Sequence, residues 1–188
     1  MYVKMSKILL VSAVAFGMTS LAHADDEGTG RAPDQGHGKV TFTGAIIDAP
    51  CSIAPEYIDQ TVELGQISNV ALKGGGQSKP KSFDIRLEDC SFGTPAAKNK
   101  VSVTFNGQQS SANNGLLGII GNAKGASLAI TQADGQVIKL GSPTQEQSLH
   151  DGNNTLNFAA YLKGDGGSND NIIEGDFRAV ADFTLAYN

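Results

Sequence analysis

Apolar and polar positions alternate along much of this chain with a period of two. Gly38-Lys39-Val40-Thr41-Phe42-Thr43-Gly44 puts Gly38, Val40, Phe42 and Gly44 on one face and polar side chains on the other. Ala45-Ile46-Ile47 is apolar on both faces, which predicts a buried strand that Pro50 ends. Thr61 to Leu64 predicts another strand, and the period-two sets Phe83/Ile85/Leu87 and Val101/Val103/Phe105 two more. The third set runs into Asn106-Gly107, a turn pair. Leu128 and Ile130 before Asp134-Gly135, with Val137 to Leu140 after it, predict a hairpin. Leu156, Phe158 and Ala160 alternate again. Phe177, Ala179, Ala181, Phe183, Leu185 and Tyr187 predict one long closing strand.

No segment of helical length beyond the first residues keeps a 3.6-residue period. Gly115 to Ile120 fits a short helix or a strand equally. Some eight short strands with glycine-rich turns predict an all-β, antiparallel sandwich of immunoglobulin type. The chain has no Trp, so it lacks the core residue of an antibody-like domain.

The two ends differ from this body. Lys4 and Lys7, the apolar run Ile8 to Met18 and the small-x-small Ala22-His23-Ala24 read as a signal peptide over 1–24. The run is too short for the roughly 20 apolar residues that a membrane crossing takes. No later stretch is long enough either, so no membrane span is expected in the mature chain. Residues 25 to 38 contain acids, glycines and Pro33, with Ala32 as the only apolar side chain besides that proline, too little to offset the entropy of ordering.

Charge narrows the partners. Removing the leader takes two of the 14 basic residues, leaves all 19 acidic ones, and moves the net charge from −5 to −7. Without basic clusters to displace phosphate counterions, nucleic acid is excluded as a partner class, and an anionic membrane surface is equally disfavoured. Cys51 and Cys90 are the only cysteines, and export puts them where a disulfide forms.

No constellation for catalysis stands out. His37 falls in the polar leader and His150 beside a turn, and neither has clustered partners for a metal or a triad. Gly74-Gly75-Gly76 lacks the strand–glycine–helix context of a phosphate cradle. Asp165 to Asn171 lacks the ligand spacing of a calcium loop. No cofactor, metal or catalytic residue is expected.

Several motifs together carry a family resemblance. Gly38 to Gly44, then Asp48-Ala49-Pro50-Cys51-Ser52-Ile53, resembles the start of chaperone–usher pilins. Asp59 to Gly65, Phe83 to Cys90, Gly175 fourteen residues from the C-terminus and the penultimate Tyr187 are similar to that family as well. The resemblance spans essentially the whole mature chain and is nearest to the major rod subunit of P-type pili.

It implies an incomplete immunoglobulin-like β-sandwich, the pilin fold, whose missing strand is donated by a neighbouring subunit. Residues 25–43 would be the donor extension and 44–188 the pilin domain. Gly38, Val40, Phe42 and Gly44 would form the donor face. Gly175, Phe177, Ala179, Ala181, Phe183, Leu185 and Tyr187 would belong to the groove strand, filled first by a periplasmic chaperone. An outer-membrane usher would then exchange the chaperone for the next subunit, giving a homopolymer in a fimbrium on the cell surface. A minor adaptor or terminator subunit, or a single-domain adhesin, would share much of this pattern. On the residues alone, Gly38 to Gly44 could also complete the chain's own sheet.

Overall fold

The structure is a computed structural model that describes residues 36–166 and 171–188. The signal peptide expected over 1–24 lies outside these residues. The chain divides into two compact units, Met1–Ala45 and Ile46–Asn188. In the first, the described residues 36–45 form no strand, and Val40 and Phe42 are exposed.

The second unit holds eleven strands among the described residues. They are β1 (Ser52–Ile53), β2 (Lys81–Cys90), β3 (Lys100–Gly107), β4 (Leu117–Gly118), β5 (Ile120–Gly121) and β6 (Ala126–Gln132). After these come β7 (Val137–Ile138), β8 (Gln147–Ser148), β9 (Gly152–Gly164), β10 (Phe177–Arg178) and β11 (Ala181–Tyr187). A four-residue helix, α1 (Asn69–Leu72), precedes β2. One sheet runs β1-β2-β9-β6-β4, with β7 also on β6. A second runs β11-β3-β8, and β10 pairs β5 alone. All pairings are antiparallel.

Alternation sets the inner faces. Ile85 and Leu87 of β2, Leu156 and Phe158 of β9, and Val101, Val103 and Phe105 of β3 are buried in one core cluster between the two larger sheets. The central strand β9 departs from alternation in its second half, where Ala160, Tyr161 and Leu162 are all buried. Tyr161 points away from the core, into a small cluster with Leu116 and Ala129. The Cys51–Cys90 disulfide forms as expected and closes the end of the sheet where β1 meets β2.

Several sequence expectations change. Ala45-Ile46-Ile47 forms no strand, and Ile46 and Ile47 are exposed, because no neighbouring strand covers them. Thr61 to Leu64 is likewise unpaired. Asn106-Gly107 is not a turn but the end of β3, facing Asp182 and Ala181. A side chain at Gly107 would meet Leu117 Cδ2 at 2.5 Å and the Val180 carbonyl at 2.7 Å, so glycine serves close packing here. The hairpin around Asp134-Gly135 forms, with its second strand limited to Val137–Ile138. Gly115 to Ile120 resolves into β4 and the start of β5. The long closing strand is interrupted at Ala179-Val180, although its in-and-out burial continues without a break from Phe177 to Tyr187.

Candidate functional site: an open groove between two unpaired edges

The sandwich is not closed. A groove of about 1500 Å³ opens between its sheets. Its floor is apolar and comes from both layers, including Phe83, Phe105, Leu128, Ile130 and Leu162. One wall is the strand that closes the chain. Residues 177–183 all border the groove, with half-covered Phe177, Ala179, Ala181 and Phe183 alternating with exposed Arg178, Val180 and Asp182. The two phenylalanines stand at the ends of this row, and the two alanines leave a hollow between them.

The opposite wall is the segment from Ile58 to Ile67, where Val62 and Leu64 are partly covered between exposed Thr61, Glu63 and Gly65. Its start is fastened by the Gln60 side chain, which donates to the Asp84 carbonyl at 3.0 Å. Beside it Arg86 pairs with Asp84 at 3.0 Å and lies 5.1 Å from the centre of the Tyr57 ring. The hydrogen bond that Arg86 donates to the Asp84 carboxylate, then the nearby Tyr57, raises the Arg86 pKa above its ordinary value. One end of the groove is closed by a second cluster, in which Leu72, Ala126 and Leu162 pack with Ile67, Ile172 and Phe177. There Asn69 donates to Glu174 at 2.7 Å.

Both walls carry unsatisfied backbone. Among the described residues no backbone–backbone hydrogen bond joins 59–67 to another segment. β11 pairs β3 on one side only. An apolar trough between two free strand edges is a receptor for one more strand: side chains fill the trough and main-chain groups pair with both rims.

The sequence-predicted residues fall unevenly on this geometry. Gly175, Phe177, Ala179, Ala181 and Phe183 line the groove. Leu185 and Tyr187 lie further along the same face, packed on the core cluster. Gly175 needs its glycine: its φ is +151°, and a side chain would meet Asn122 Cβ at 2.8 Å. Gly38, Val40, Phe42 and Gly44 are exposed in the first unit, and none of them pairs in a strand among the described residues. Sequence reasoning missed the second wall as a rim; Thr61 to Leu64 signalled a strand but not that its partner is absent.

Among the described residues no group of three His, Cys, Asp or Glu side chains could hold a metal, and no helix is long and apolar enough to cross a bilayer. His150 is exposed at its turn, its ring nitrogen 3.1 Å from the Asp151 carbonyl.

Comparison with known proteins agrees with this geometry. Residues 40–188 match the family model described as fimbrial protein. The chain is 60% identical over 184 residues to the Fimbria A protein of Serratia marcescens, covering 98% of this chain and 99% of that one. It is 48% identical over 185 residues to the major MR/P fimbria protein of Proteus mirabilis, covering 98% and 99%. Among solved structures it is similar to the P pilus rod subunit PapA, at 33% identity and a TM-score of 0.66, covering 74% of this chain and all of that one. A chaperone–usher pilus structure, whose description concerns rod uncoiling, aligns with a TM-score of 0.72 at 36% identity, covering 82% and 97%. An immunoglobulin-like sandwich left open along one groove, with matches that run nearly end to end, places this chain in the fimbrial protein family of chaperone–usher pilins.

Proposed function

We propose that this chain is the structural rod subunit of a surface fibre, and that it polymerises by lending its N-terminal extension to the open groove of the next copy. The observation that carries the reading is the pairing of two incomplete features. Among the described residues the groove has two free rims and no strand between them, while Gly38 to Gly44 alternates like a strand and pairs with none. A head-to-tail contact that does not close on itself generates an open filament. Val40 and Phe42 would each contribute about 1.5–3 kcal/mol on burial, and each main-chain bond to a rim about 0.5–1.5 kcal/mol.

The same exposed trough needs cover before assembly, since an apolar groove with free edges aggregates. A periplasmic chaperone serves that purpose, and an outer-membrane usher exchanges it for the incoming extension. On this reading residues 1–24 direct export, 25–43 are the extension and 44–188 the domain, and the role is structural, not enzymatic. The likeness to a major fimbria protein supports a rod subunit over an adaptor or terminator.

The test is a denaturing gel of fibres sheared from cells that express the whole assembly system. An unheated ladder of this subunit that collapses to monomer on heating is expected. A lone monomer band in both lanes, with fibres present, overturns the reading.

A further inference from the structure

The sizes along the groove wall and the charges beside it define how the extension seats. Read outward from the groove's closed end, the wall is large–small–small–large: Phe177, Ala179, Ala181, Phe183. The extension's apolar face is small–large–large–small: Gly38, Val40, Phe42, Gly44. Each bulky side chain of one therefore matches a hollow of the other. Because both patterns are nearly palindromic, size alone allows two seatings. Antiparallel, Phe42 lies opposite Ala179 and Val40 opposite Ala181. Parallel, Phe42 lies opposite Ala181 and Val40 opposite Ala179.

Charge separates them. The antiparallel seating puts Lys39 opposite Asp182, the one acid in β11. The parallel seating puts Lys39 opposite Arg178, a like charge. Sliding the antiparallel seating by two residues either way would set Lys39 against Val180 or Thr184 and Phe42 against Phe177 or Ala181. Opposite charges directly across a strand pair are favourable and like charges are not.

The hydrogen-bond phase of β11 strengthens the choice. Lys100 and Asn188 exchange both backbone bonds, at 3.1 and 2.9 Å. Counting in twos along the β3–β11 register, Asn106 and Asp182 form the same kind of pair. The main-chain groups of Asp182 thus point toward β3, and those of Ala181 and Phe183 point to the free edge. A strand added on that edge meets Asp182 at a non-hydrogen-bonded position, where facing Cα atoms lie only about 4.5 Å apart and side chains are closest.

We infer that Lys39 of one copy forms an ion pair with Asp182 of the next, and that this pair sets the antiparallel direction and the register in which the extension fills the groove. The inference rests on the strand-donation reading above. Both side chains are exposed, so they can be exchanged without disturbing the core.

The experiment replaces them with cysteines, Lys39→Cys with Asp182→Cys in one chain, and assembles fibres under oxidising conditions. Facing positions lie within the roughly 4.4–6.8 Å Cα range of a disulfide, and diagonal neighbours at about 7–8 Å do not. A ladder that survives heating without reductant and collapses with it is expected for 39/182. The control pairs 39/184, 39/180 and 39/178 should stay heat-sensitive. Preferential linkage at 39/178 overturns the direction, and linkage at 39/184 or 39/180 overturns the register. A wild-type ladder without any 39/182 linkage likewise sinks the pair while leaving strand donation standing. Absence of a wild-type ladder sinks the underlying reading instead.

A charge exchange guards against mispairing with Cys51 or Cys90. Asp182→Lys should shorten the ladder's half-life in denaturant roughly two- to fivefold, and adding Lys39→Glu should restore it. No restoration overturns the ion pair.

Discussion

Phe105 of β3 and Phe158 of β9 meet edge to face, ring centres 5.2 Å apart and planes at 87°, and so join the two sheets behind the groove. Phe83 extends the stack, 5.6 Å from Phe158, and Phe183 of the groove wall adds to it, 6.4 Å from Phe105. The aromatic chain runs from the sealed interior to the open trough. Its inner members hold the fold, whereas its outer member, Phe183, is only partly covered.

This gradient predicts different consequences for the same truncation. Phe158→Ala should destabilise the domain by about 3–5 kcal/mol, because it removes a fully packed ring and leaves a cavity. Phe183→Ala should cost markedly less in the isolated subunit. Denaturant unfolding of each variant checks the order; equal losses would contradict it.

The disulfide has a separate, entropic role. It closes a sequence separation of 39 residues, which in the chain-entropy model restrains the unfolded state by about 4 kcal/mol. Replacing both cysteines, Cys51→Ser with Cys90→Ser, should therefore lower the unfolding free energy by about that amount while Ala54 keeps its backbone bond to Arg86. An unchanged midpoint relative to the oxidised wild type would rule this out.

Much of the sandwich was legible because buried strands with one solvated face must alternate. The sets ending in Leu87, Phe105 and Ala160 all became strands for that reason. Asn106-Gly107 misled because its glycine answers to Leu117 and Val180 rather than to a turn. Thr61 to Leu64 alternates as strands do but pairs with no strand among the described residues, and periodicity cannot report a missing partner. For the same reason the groove itself was visible only through family resemblance, and its far wall not at all. Ile46 and Ile47 read as a core strand because apolar runs are usually covered at home; here they are exposed.

Assembly should depend on the extension's inward face and not on the fold. Phe42→Asp puts a charge where the trough is apolar, and Gly38→Val puts a branched side chain opposite Phe183. Either change should leave the subunit able to fold yet abolish the heat-sensitive ladder. Circular dichroism of the recovered subunit separates this from misfolding, and normal fibres from either variant would refute the assignment of the donor face.

Tyr187 should give the domain an alkaline sensitivity. Its hydroxyl is buried with no hydrogen-bond partner among the described residues, and burial raises its pKa above the ordinary value of 10.0. The unfolded chain releases this proton first as pH rises. The stability tied to the protonated phenol is present below about pH 10 and falls away as pH climbs through the higher folded-state value. Tyr187→Phe should be flatter than wild type across that window. At neutral pH it should be as stable or more so, by at most about 1–3 kcal/mol, since it removes a polar atom that has no partner. Unfolding midpoints at about pH 8 and about pH 11 test both statements, the wild type serving as the reference for every other titrating group.

The last prediction concerns a polar knot outside the groove. Ser127 of β6 is fully buried, and its hydroxyl donates to Asp165 Oδ1 at 2.5 Å. The Asn113 amide reaches both, at 2.8 Å to Asp165 and 3.2 Å to Ser127, and Ser110 Oγ lies 2.7 Å from Ser127 Oγ. The Ser110 oxygen also accepts the backbone N–H groups of Ala112 and Asn113. Four side chains thus tie the loop before β4 to β6 and to the residue just after β9. Ser127→Ala removes a hydrogen bond to a charged group and should cost about 1.5–3 kcal/mol. Asp165→Asn keeps the shape but loses the charge that makes the bond strong. If the knot acts as a unit, combining the two should cost less than the sum of the single losses, because the second change removes a bond already broken. Strict additivity in denaturant unfolding would mean that Ser127 and Asp165 act independently, and that the loop is held by Asn113 alone.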